Sequence, residues 1–207
     1  MTHDHIHWLG HASFRIEDGE RQIYIDPWKI PDKSPKADIV FITHAHYDHN
    51  SPDDFKAVSN ARTTIFAPKE VASQIKGKVV AVEPNKSYVL DDLLIQTIPA
   101  YNLGKKFHPK ENNWVGYIIT LSTGQKLYHS GDTDFTPEMR TVVTDIALLP
   151  CGGTYTMTGK EAGDAANVFK PKLLIPMHWG DIVGTTADAE EVRKIFKGET
   201  VIKTPEH

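Results

Sequence analysis

A short apolar segment that ends in a cluster of histidine and aspartate constrains the fold of this chain more than any other feature. Residues 38–43 form a continuous apolar run, which is typical of a strand buried on both faces. His44, His46, Asp48 and His49 follow directly. Because a strand buried on both faces needs a packing layer on either side, we predict a layered α/β protein.

The rest of the pattern alternates between groups of strands and groups of helices. Ser51 and Pro52 are typical of a helix start, and Thr158 and Glu161 are spaced as the capping box of a later helix. The expected strands lie near residues 5–9, 12–17, 21–26, 93–99, 114–122, 126–130, 145–150 and 173–177. The expected helices start at residue 51, cover 68–75 and 187–197, and run from 158 to near 169. Two stacked sheets with helices outside fit this order.

Length and composition narrow the class of protein. The 207 residues, 40% of them hydrophobic, suffice for one domain over residues 1–207. The net charge of −4 comes from acids and bases mixed along the chain, so nucleic acid is not a favoured partner. A single cysteine, Cys151, fits a reducing compartment. With no signal-peptide pattern and no apolar run of about 18 residues, we expect a cytoplasmic protein without an integral membrane segment. The sequence leaves a homo-oligomer open.

The cluster after the buried strand has the residue types of a metal site. Side chains at positions i and i+2 of an extended chain point the same way, so His44 and His46 can bind one ion. Asp48 and His49 follow where the backbone turns and can face a second ion. Imidazole and carboxylate are ligands that zinc, manganese and iron accept. An exposed polar loop would seldom place these four groups within six residues at the end of a strand, so we predict a metal centre.

The pattern His-x-His-x-Asp-His after a buried strand resembles the signature of the metallo-β-lactamase superfamily. That family also supplies a later histidine, an aspartate in a Gly-Asp-Thr sequence and a histidine after a late strand. Asp132, in Ser-Gly-Asp-Thr, and His178, in Pro-Met-His-Trp-Gly, occur in that order. The resemblance spans nearly the whole chain. It implies a four-layer αββα sandwich, with two mixed sheets and helices outside, and a metal-dependent hydrolase.

The N-terminal sequence resembles one branch of that superfamily. Residues 8–14 read Trp-Leu-Gly-His-Ala-Ser-Phe and residues 25–27 read Ile-Asp-Pro. Both look like the branch that includes ascorbate-6-phosphate lactonases and N-acyl phosphatidylethanolamine phospholipase D. In that branch His11 would lie near the metals as a catalytic or substrate group. The alternative is a histidine whose hydrogen bonds are satisfied within a strand turn.

The third ligand of the first ion is open among three residues. Relatives in the branch carry a histidine after a Pro-Ala-x segment, and Asn102 holds that position here. His108 follows six residues later, and a loop can carry it back to the ion. We choose His108, because an amide oxygen is a weaker ligand for such ions. His129 is the third option, although it is expected to point elsewhere or to support Asp132.

The resemblance implies a reaction that uses two divalent ions, with zinc as first choice and manganese or iron as alternatives. The predicted metal ligands are His44, His46, Asp48, His49, His108, Asp132 and His178. A hydroxide activated by both ions would attack a lactone, ester or phosphodiester of small-molecule size. Asp48 and His11 are the predicted catalytic residues, with Asp48 able to accept a proton in a later step.

Candidate substrate residues flank the predicted ligands. Tyr101, Lys106 and Tyr155 are the ones we select. Lysines at positions 105, 106 and 110 could attract a phosphate or carboxylate of the substrate. The alternatives are ordinary packing for the aromatic residues and a solvated loop for the lysines.

Other functions of the same fold are less compatible with this chain. A di-iron redox protein would need a partner chain, because 207 residues leave no room for a flavin-carrying domain. A nuclease of the superfamily would carry a basic inserted domain or arm, and a secreted β-lactamase a signal peptide. A relative that only binds would have lost ligands, whereas at least six of the seven candidates are present.

Overall fold

The strands assemble into two mixed sheets. The structure is a computed structural model that describes residues 2–206. The first sheet contains β1 (Ile6–Gly10), β2 (Ser13–Asp18), β3 (Arg21–Ile25), β4 (Ile39–Phe41), β5 (Thr64–Pro68) and β6 (Lys78–Val82). The second sheet contains β7 (Ser87–Leu90), β8 (Leu93–Pro99), β9 (Val115–Thr120), β10 (Lys126–His129), β11 (Ile146–Pro150), β12 (Leu173–Met177) and β13 (Glu199–Thr200). The helices are α1 (Pro52–Val58), α2 (Lys69–Ala72), α3 (Gly159–Phe169) and α4 (Thr186–Ile195), with 3₁₀ turns at Lys110–Asn112 and Met139–Thr141.

Each sheet combines an antiparallel part with a parallel part. In the first sheet β1, β2 and β3 are antiparallel, and β3 to β6 are parallel. In the second sheet β7 to β10 are antiparallel, and β10 to β13 are parallel. Parallel strands end at the same edge of a sheet, so the loops after β10 and β12 lie at one edge of the second sheet. The loop after β4 belongs to the first sheet and meets them through the packing of the two sheets.

The core lies between the sheets and continues under the helices. Along β4 the side chains alternate, because Ile39 and Phe41 pack between the sheets while Val40 packs under α1 and α2. Helices α3 and α4 bury small residues against the second sheet, among them Ala162 and Ala189. The resulting order is helices, sheet, sheet, helices. The predicted four-layer αββα sandwich with two mixed sheets is therefore confirmed.

The predicted elements agree with the structure where local signals were strong. Ser51 caps α1, and Thr158 and Glu161 form the capping box of α3. The helix expected over 68–75 is shorter, because α2 covers only Lys69–Ala72. Strands β5, β6, β7 and β13 were not predicted. Strands β6, β7 and β13 lie partly exposed at or near sheet edges, whereas β5 is mostly buried but has only five residues and ends in a proline. Within residues 2–206, no helix has the length and apolar character needed to cross a membrane.

The reactivity of the Cys151 thiol provides a test of the packing around β11. The residue follows β11, is fully buried, and burial raises the pKa of its thiol. A buried neutral thiol reacts slowly, because the thiolate is the nucleophile. We expect no measurable reaction of native protein with a thiol reagent at pH 8, and reaction of one thiol per chain in concentrated guanidinium chloride. Fast labelling of the native protein would contradict the packing around β11.

Candidate metal centre

Loops from both sheets meet at one edge of the sandwich. The loop after β4 carries residues 44–49, and the loops after β8, β10 and β12 carry His108, Asp132 and His178. Main-chain hydrogen bonds join these loops, from Val115 N to Thr43 O at 3.2 Å and from His178 N to His11 O at 2.8 Å. The structure thus brings together residues that are up to 167 positions apart (His11 and His178).

Gly131 permits a close approach between two of these loops. Its φ angle is +63°, and a Cβ atom there would lie 3.1 Å from Thr43 Cβ and 3.1 Å from the Val115 carbonyl oxygen. A side chain at this position would be strained and crowded. The glycine before Asp132 therefore lets the loop after β10 approach the loop after β4.

His44, His46 and His108 form the first group of potential ligands. Their ligand atoms all lie within 4.8 Å of one another, and His44 Nε2 is 3.0 Å from His46 Nδ1. The other nitrogen of His44, Nδ1, lies 2.9 Å from the Thr43 hydroxyl oxygen and can donate to it. Burial and the neighbouring imidazoles lower the pKa values of His44 and His46. Both side chains are therefore neutral and can offer a lone pair to an ion.

The structure separates the three candidates for the third ligand by their hydrogen bonds. His108 Nδ1 lies 2.9 Å from Asn102 Oδ1, which also accepts the His108 backbone N–H at 3.1 Å. This leaves His108 Nε2 buried without a hydrogen-bond partner. His129 uses both nitrogens, since Nε2 donates to Ala12 O and Nδ1 accepts from Gly131 N. The geometry favours His108 as ligand and Asn102 as the group that orients it.

His11, Asp48, His49 and His178 form the second group. Their ligand atoms also lie within 4.8 Å of one another. Backbone hydrogen bonds from His49 N and Asn50 N to His46 O make the turn that places Asp48 and His49 here. The rings of His11 and His178 pack with centroids 3.9 Å apart. Asp48 and His49, which were predicted to face a second ion, thus lie beside His178, with His11 as a fourth member of the group.

Asp132 lies between the two groups. Its Oδ2 is 2.9 Å from His178 Nε2 and 3.3 Å from His108 Nε2, and its Oδ1 is 3.4 Å from His49 Nε2. Burial would raise the pKa of Asp132, but His178 and His49 outweigh that effect and hold it well below the ordinary value. An ionised carboxylate in contact with both groups could serve as a metal ligand for either of them.

Several buried polar atoms in this cluster form no hydrogen bond within the described chain. They include His49 Nε2, His108 Nε2 and Asp132 Oδ1, although the two imidazoles lie 3.4 Å and 3.3 Å from the Asp132 carboxylate as ion pairs. Buried polar groups are almost always hydrogen-bonded, and leaving one unpaired costs about 1–3 kcal/mol. Divalent ions are the partners that imidazole nitrogens and a carboxylate oxygen in this arrangement would bind. The residues present therefore fit the expected metals, although each ligand assignment stays a prediction.

Asp26 lies at the site, although the sequence alone did not assign it there. It is fully buried and accepts hydrogen bonds from Thr43 N at 2.7 Å and from the Thr43 hydroxyl at 2.6 Å. Its Oδ2 also lies 2.7 Å from His49 Nδ1. This contact turns His49 Nε2 toward Asp132. The sequence feature that could have pointed to Asp26 is the Ile-Asp-Pro sequence at the end of β3. This strand pairs with β4, which precedes the histidines.

Asp48 and His11 form a buried pair. His11 Nε2 lies 3.0 Å from Asp48 Oδ2. Burial would raise the pKa of Asp48, but the hydrogen bond from His11 and the charge of His49 lower it to about 2. Burial also lowers the pKa of His11. At neutral pH the pair is therefore a carboxylate and a neutral imidazole that donates to it.

The two groups open into a cavity of about 220 Å³. It is lined by His46, Tyr47, Asp48, Phe107, His108, Asp132, Tyr155, His178 and Ile182. Of the predicted substrate residues, Tyr155 lines this cavity and Tyr101 and Lys106 do not. Tyr101 is buried, and its hydroxyl donates to Glu138 Oε2 at 2.8 Å. Lys106 is exposed. Of the three predicted substrate residues, the geometry therefore supports only Tyr155 as a candidate for contact with a substrate in this cavity.

The sandwich and its histidine–aspartate edge define a protein of the metallo-β-lactamase superfamily. A family model described as "Beta-lactamase superfamily domain" matches residues 5–178. A UPF0173 metal-dependent hydrolase from Pyrococcus abyssi is 32% identical over 220 residues, which cover 97% of this chain and 96% of the relative. The chain belongs to the UPF0173 metal-dependent hydrolase family.

Solved structures agree with this assignment. A structure from Parabacteroides distasonis, described as that of a metal-dependent hydrolase, is 32% identical with a TM-score of 0.86 and covers 97% of this chain and 93% of its own. A metallo hydrolase from the archaeon Ignicoccus hospitalis is 25% identical with a TM-score of 0.80, covering 98% and 95%. Both resemble this chain over its whole fold.

The roles of His108 and Asn102 can be separated by metal analysis. We expect His108→Ala to lose one ion per chain, because its Nε2 is the unpartnered nitrogen. Asn102→Ala should keep both ions but bind one about 10–100-fold more weakly, because it removes the orienting acceptor. Competition with a chelator would measure both affinities. Loss of the ion in Asn102→Ala alone would reverse the assignment.

Asp26 can be tested by a substitution that keeps its shape. In Asp26→Asn the amide can donate to His49 Nδ1, which moves the imidazole proton to Nε2, the nitrogen that faces Asp132. We expect one ion to be bound about 10–100-fold more weakly while the ion near His44 is retained. Metal stoichiometry during dialysis against a chelator checks this, with circular dichroism to confirm folding. Unchanged affinity for both ions would contradict the orienting role.

Proposed function

We propose that this chain hydrolyses a small lactone, ester or phosphodiester at a centre of two divalent ions. The observation that carries the proposal is the convergence of three buried atoms that form no hydrogen bond, His49 Nε2, His108 Nε2 and Asp132 Oδ1, at a site where His108 and Asp132 line the cavity. The Gly-His-Ala and Ile-Asp-Pro sequences support it, because they resemble the branch with lactonases and a phospholipase D. We also propose that residues 1–207 act as one catalytic domain.

The two ligand groups suggest how the ions would be held. His44, His46 and His108 would bind the first, and Asp48, His49 and His178 the second, with Asp132 in contact with both. Zinc is the first choice, and manganese or iron are alternatives for these ligand types. When bound, such ions lower the pKa of water and stabilise negative charge on the substrate oxygen.

Asp48 and His11 supply the proton handling in this proposal. A carboxylate with a pKa of about 2 accepts a hydrogen bond from water well but retains a proton poorly at neutral pH. Asp48 would therefore orient the attacking water and pass its proton on to the leaving group. His11, whose Nε2 lies 3.0 Å from Asp48 Oδ2, keeps that carboxylate turned toward the cavity.

Metal content and turnover together test the function. We expect protein purified without added metal to contain two ions per chain and to cleave a member of a panel of lactones, esters and phosphodiesters. His46→Ala and Asp132→Ala should each lose at least one ion and about 100-fold or more in kcat/KM. His3→Ala is the control, because that side chain pairs with Asp4 and is not among the residues that line the cavity.

The alternatives give different results in the same experiment. Full activity in His46→Ala or Asp132→Ala would refute the proposed centre. Retained iron without turnover of any ester would favour the redox alternative with a partner chain. Cleavage of nucleic acid in preference to small esters would favour the nuclease alternative.

A further inference from the structure

The mouth of the cavity is apolar and exposed. Tyr47, Phe107 and Ile182 line it, although 68%, 44% and 38% of their surfaces remain accessible to solvent. They come from three separate loops, after β4, β8 and β12. Large apolar side chains that cluster at the rim of a polar site are typical of a ligand-binding surface.

Phe107 is held in position within the protein. Its ring meets that of Tyr155 edge to face, with centroids 4.7 Å apart. The Tyr155 carbonyl oxygen accepts a hydrogen bond from Asn102 Nδ2 at 3.0 Å, and Asn102 N donates to His108 O at 2.8 Å. The apolar wall is therefore attached to the loop that carries His108, and it keeps a defined distance from the ligand groups.

None of the described residues that line this cavity is a lysine or an arginine. Two of the neighbouring lysines that could bind an anion are engaged elsewhere, and a third, Lys106, is exposed and does not line the cavity. Lys105 pairs with Asp134 and donates to the Thr156 carbonyl oxygen, and Lys110 pairs with Glu138. A negatively charged group of the substrate outside the reacting centre would therefore face apolar surface, which disfavours it.

The size of the cavity gives a scale for the substrate group that fits inside it. Its volume is about 220 Å³. Pockets for drug-sized ligands measure about 300–1,000 Å³, whereas an apolar cavity of about 150 Å³ can hold a benzene ring. The space beside the ligand groups is therefore sufficient for a short branched chain or one aromatic ring.

We propose that the substrate is an uncharged carbonyl ester or lactone with a compact apolar group that packs against Tyr47, Phe107 and Ile182. This inference rests on the proposed function and specifies the substrate class of the same site. In hydrolysis, water adds to the carbonyl carbon, the ester C–O bond breaks, and the water's protons end on the alcohol and the acid. The apolar group takes no part in bond making, and its role is to position the carbonyl at the centre.

A matched pair of substrates tests the proposal. The acyl groups of 4-nitrophenyl 4-methylpentanoate and 4-nitrophenyl hemisuccinate have similar shapes and differ by one negative charge. In a second pair, both substrates are acetate esters, and the neutral branched group and the carboxylate-bearing group are carried by the alcohol. We expect the metal-loaded protein to prefer the neutral member by at least about tenfold in kcat/KM in one or both pairs. Bis(4-nitrophenyl) phosphate, as the phosphodiester, should react more slowly than the preferred ester.

Two alanine variants on one loop provide the structural control. Phe107→Ala should reduce the preference for the neutral substrate by about tenfold, mainly through KM. Leu103→Ala should leave it unchanged, because Leu103 is 55% exposed on the same loop and does not line the cavity. Lys106→Ala should not alter turnover of the hemisuccinate. Preference for the charged member, a preference that persists in Phe107→Ala, or dependence on Lys106 would overturn the proposal.

A binding measurement keeps this test separate from that of the proposed function. If the protein cleaves none of the panel, the proposed function fails, and binding of the uncleaved amides still decides the inference. Saturation-transfer NMR should show 4-methylpentanamide bound to the wild-type protein, weaker in Phe107→Ala, and succinamate unbound. Equal binding of both amides, or of neither, would overturn the proposed substrate class whatever the catalytic activity is.

Discussion

The buried carboxylate of Asp132 is the interaction on which the organisation of this centre depends. An ionised carboxylate in the interior loses several kcal/mol of hydration, so it persists only with polar partners around it. Three imidazoles provide them, since His49, His108 and His178 all place Nε2 within 3.4 Å of its oxygens. Those histidines come from three loops, and Asp132 comes from a fourth. The two sheets must therefore pack in one relative position for the carboxylate to be stable.

A second layer of hydrogen bonds determines which nitrogen each histidine presents. The Nδ1 atoms of three histidines donate to oxygen atoms: His49 to Asp26, His108 to Asn102, and His44 to the Thr43 hydroxyl. In each case Nε2 is directed to the interior of the cluster. Such partners fix the tautomer and the ring orientation, and they raise the basicity of a metal ligand. The protein thus prepares the ligand set through contacts that lie outside it.

In the proposed function, the chemistry and the selectivity of the site come from different parts of the cavity. The floor contains carboxylates and imidazoles that would suit divalent ions and a reacting oxygen. The rim contains apolar side chains, and two lysines of the neighbouring loop, Lys105 and Lys110, pair with Asp134 and Glu138. Relatives with the same floor can therefore act on different substrates by changing loops while the sandwich stays the same.

The sequence by itself determined the elements with strong local signals and the types of ligand. The apolar run before His44, the capping box at Thr158 and the order of the histidine and aspartate motifs led to the correct superfamily and the four-layer sandwich. These features depend on periodicity and on neighbours a few residues apart, which a sequence displays directly. Short or partly exposed strands such as β6 and β7 lack that pattern, so they were not predicted.

Only the tertiary structure decided how distant side chains meet. Its hydrogen bonds distinguish His108 from Asn102 and His129 as the candidate third ligand. It also shows that Asp26 contacts His49 and that the Tyr101 hydroxyl donates to Glu138. Each of these outcomes is a hydrogen bond between groups on different loops. Such bonds depend on the packing of the two sheets and on which competing donor or acceptor is nearest, and neither quantity can be obtained from residue spacing along the chain.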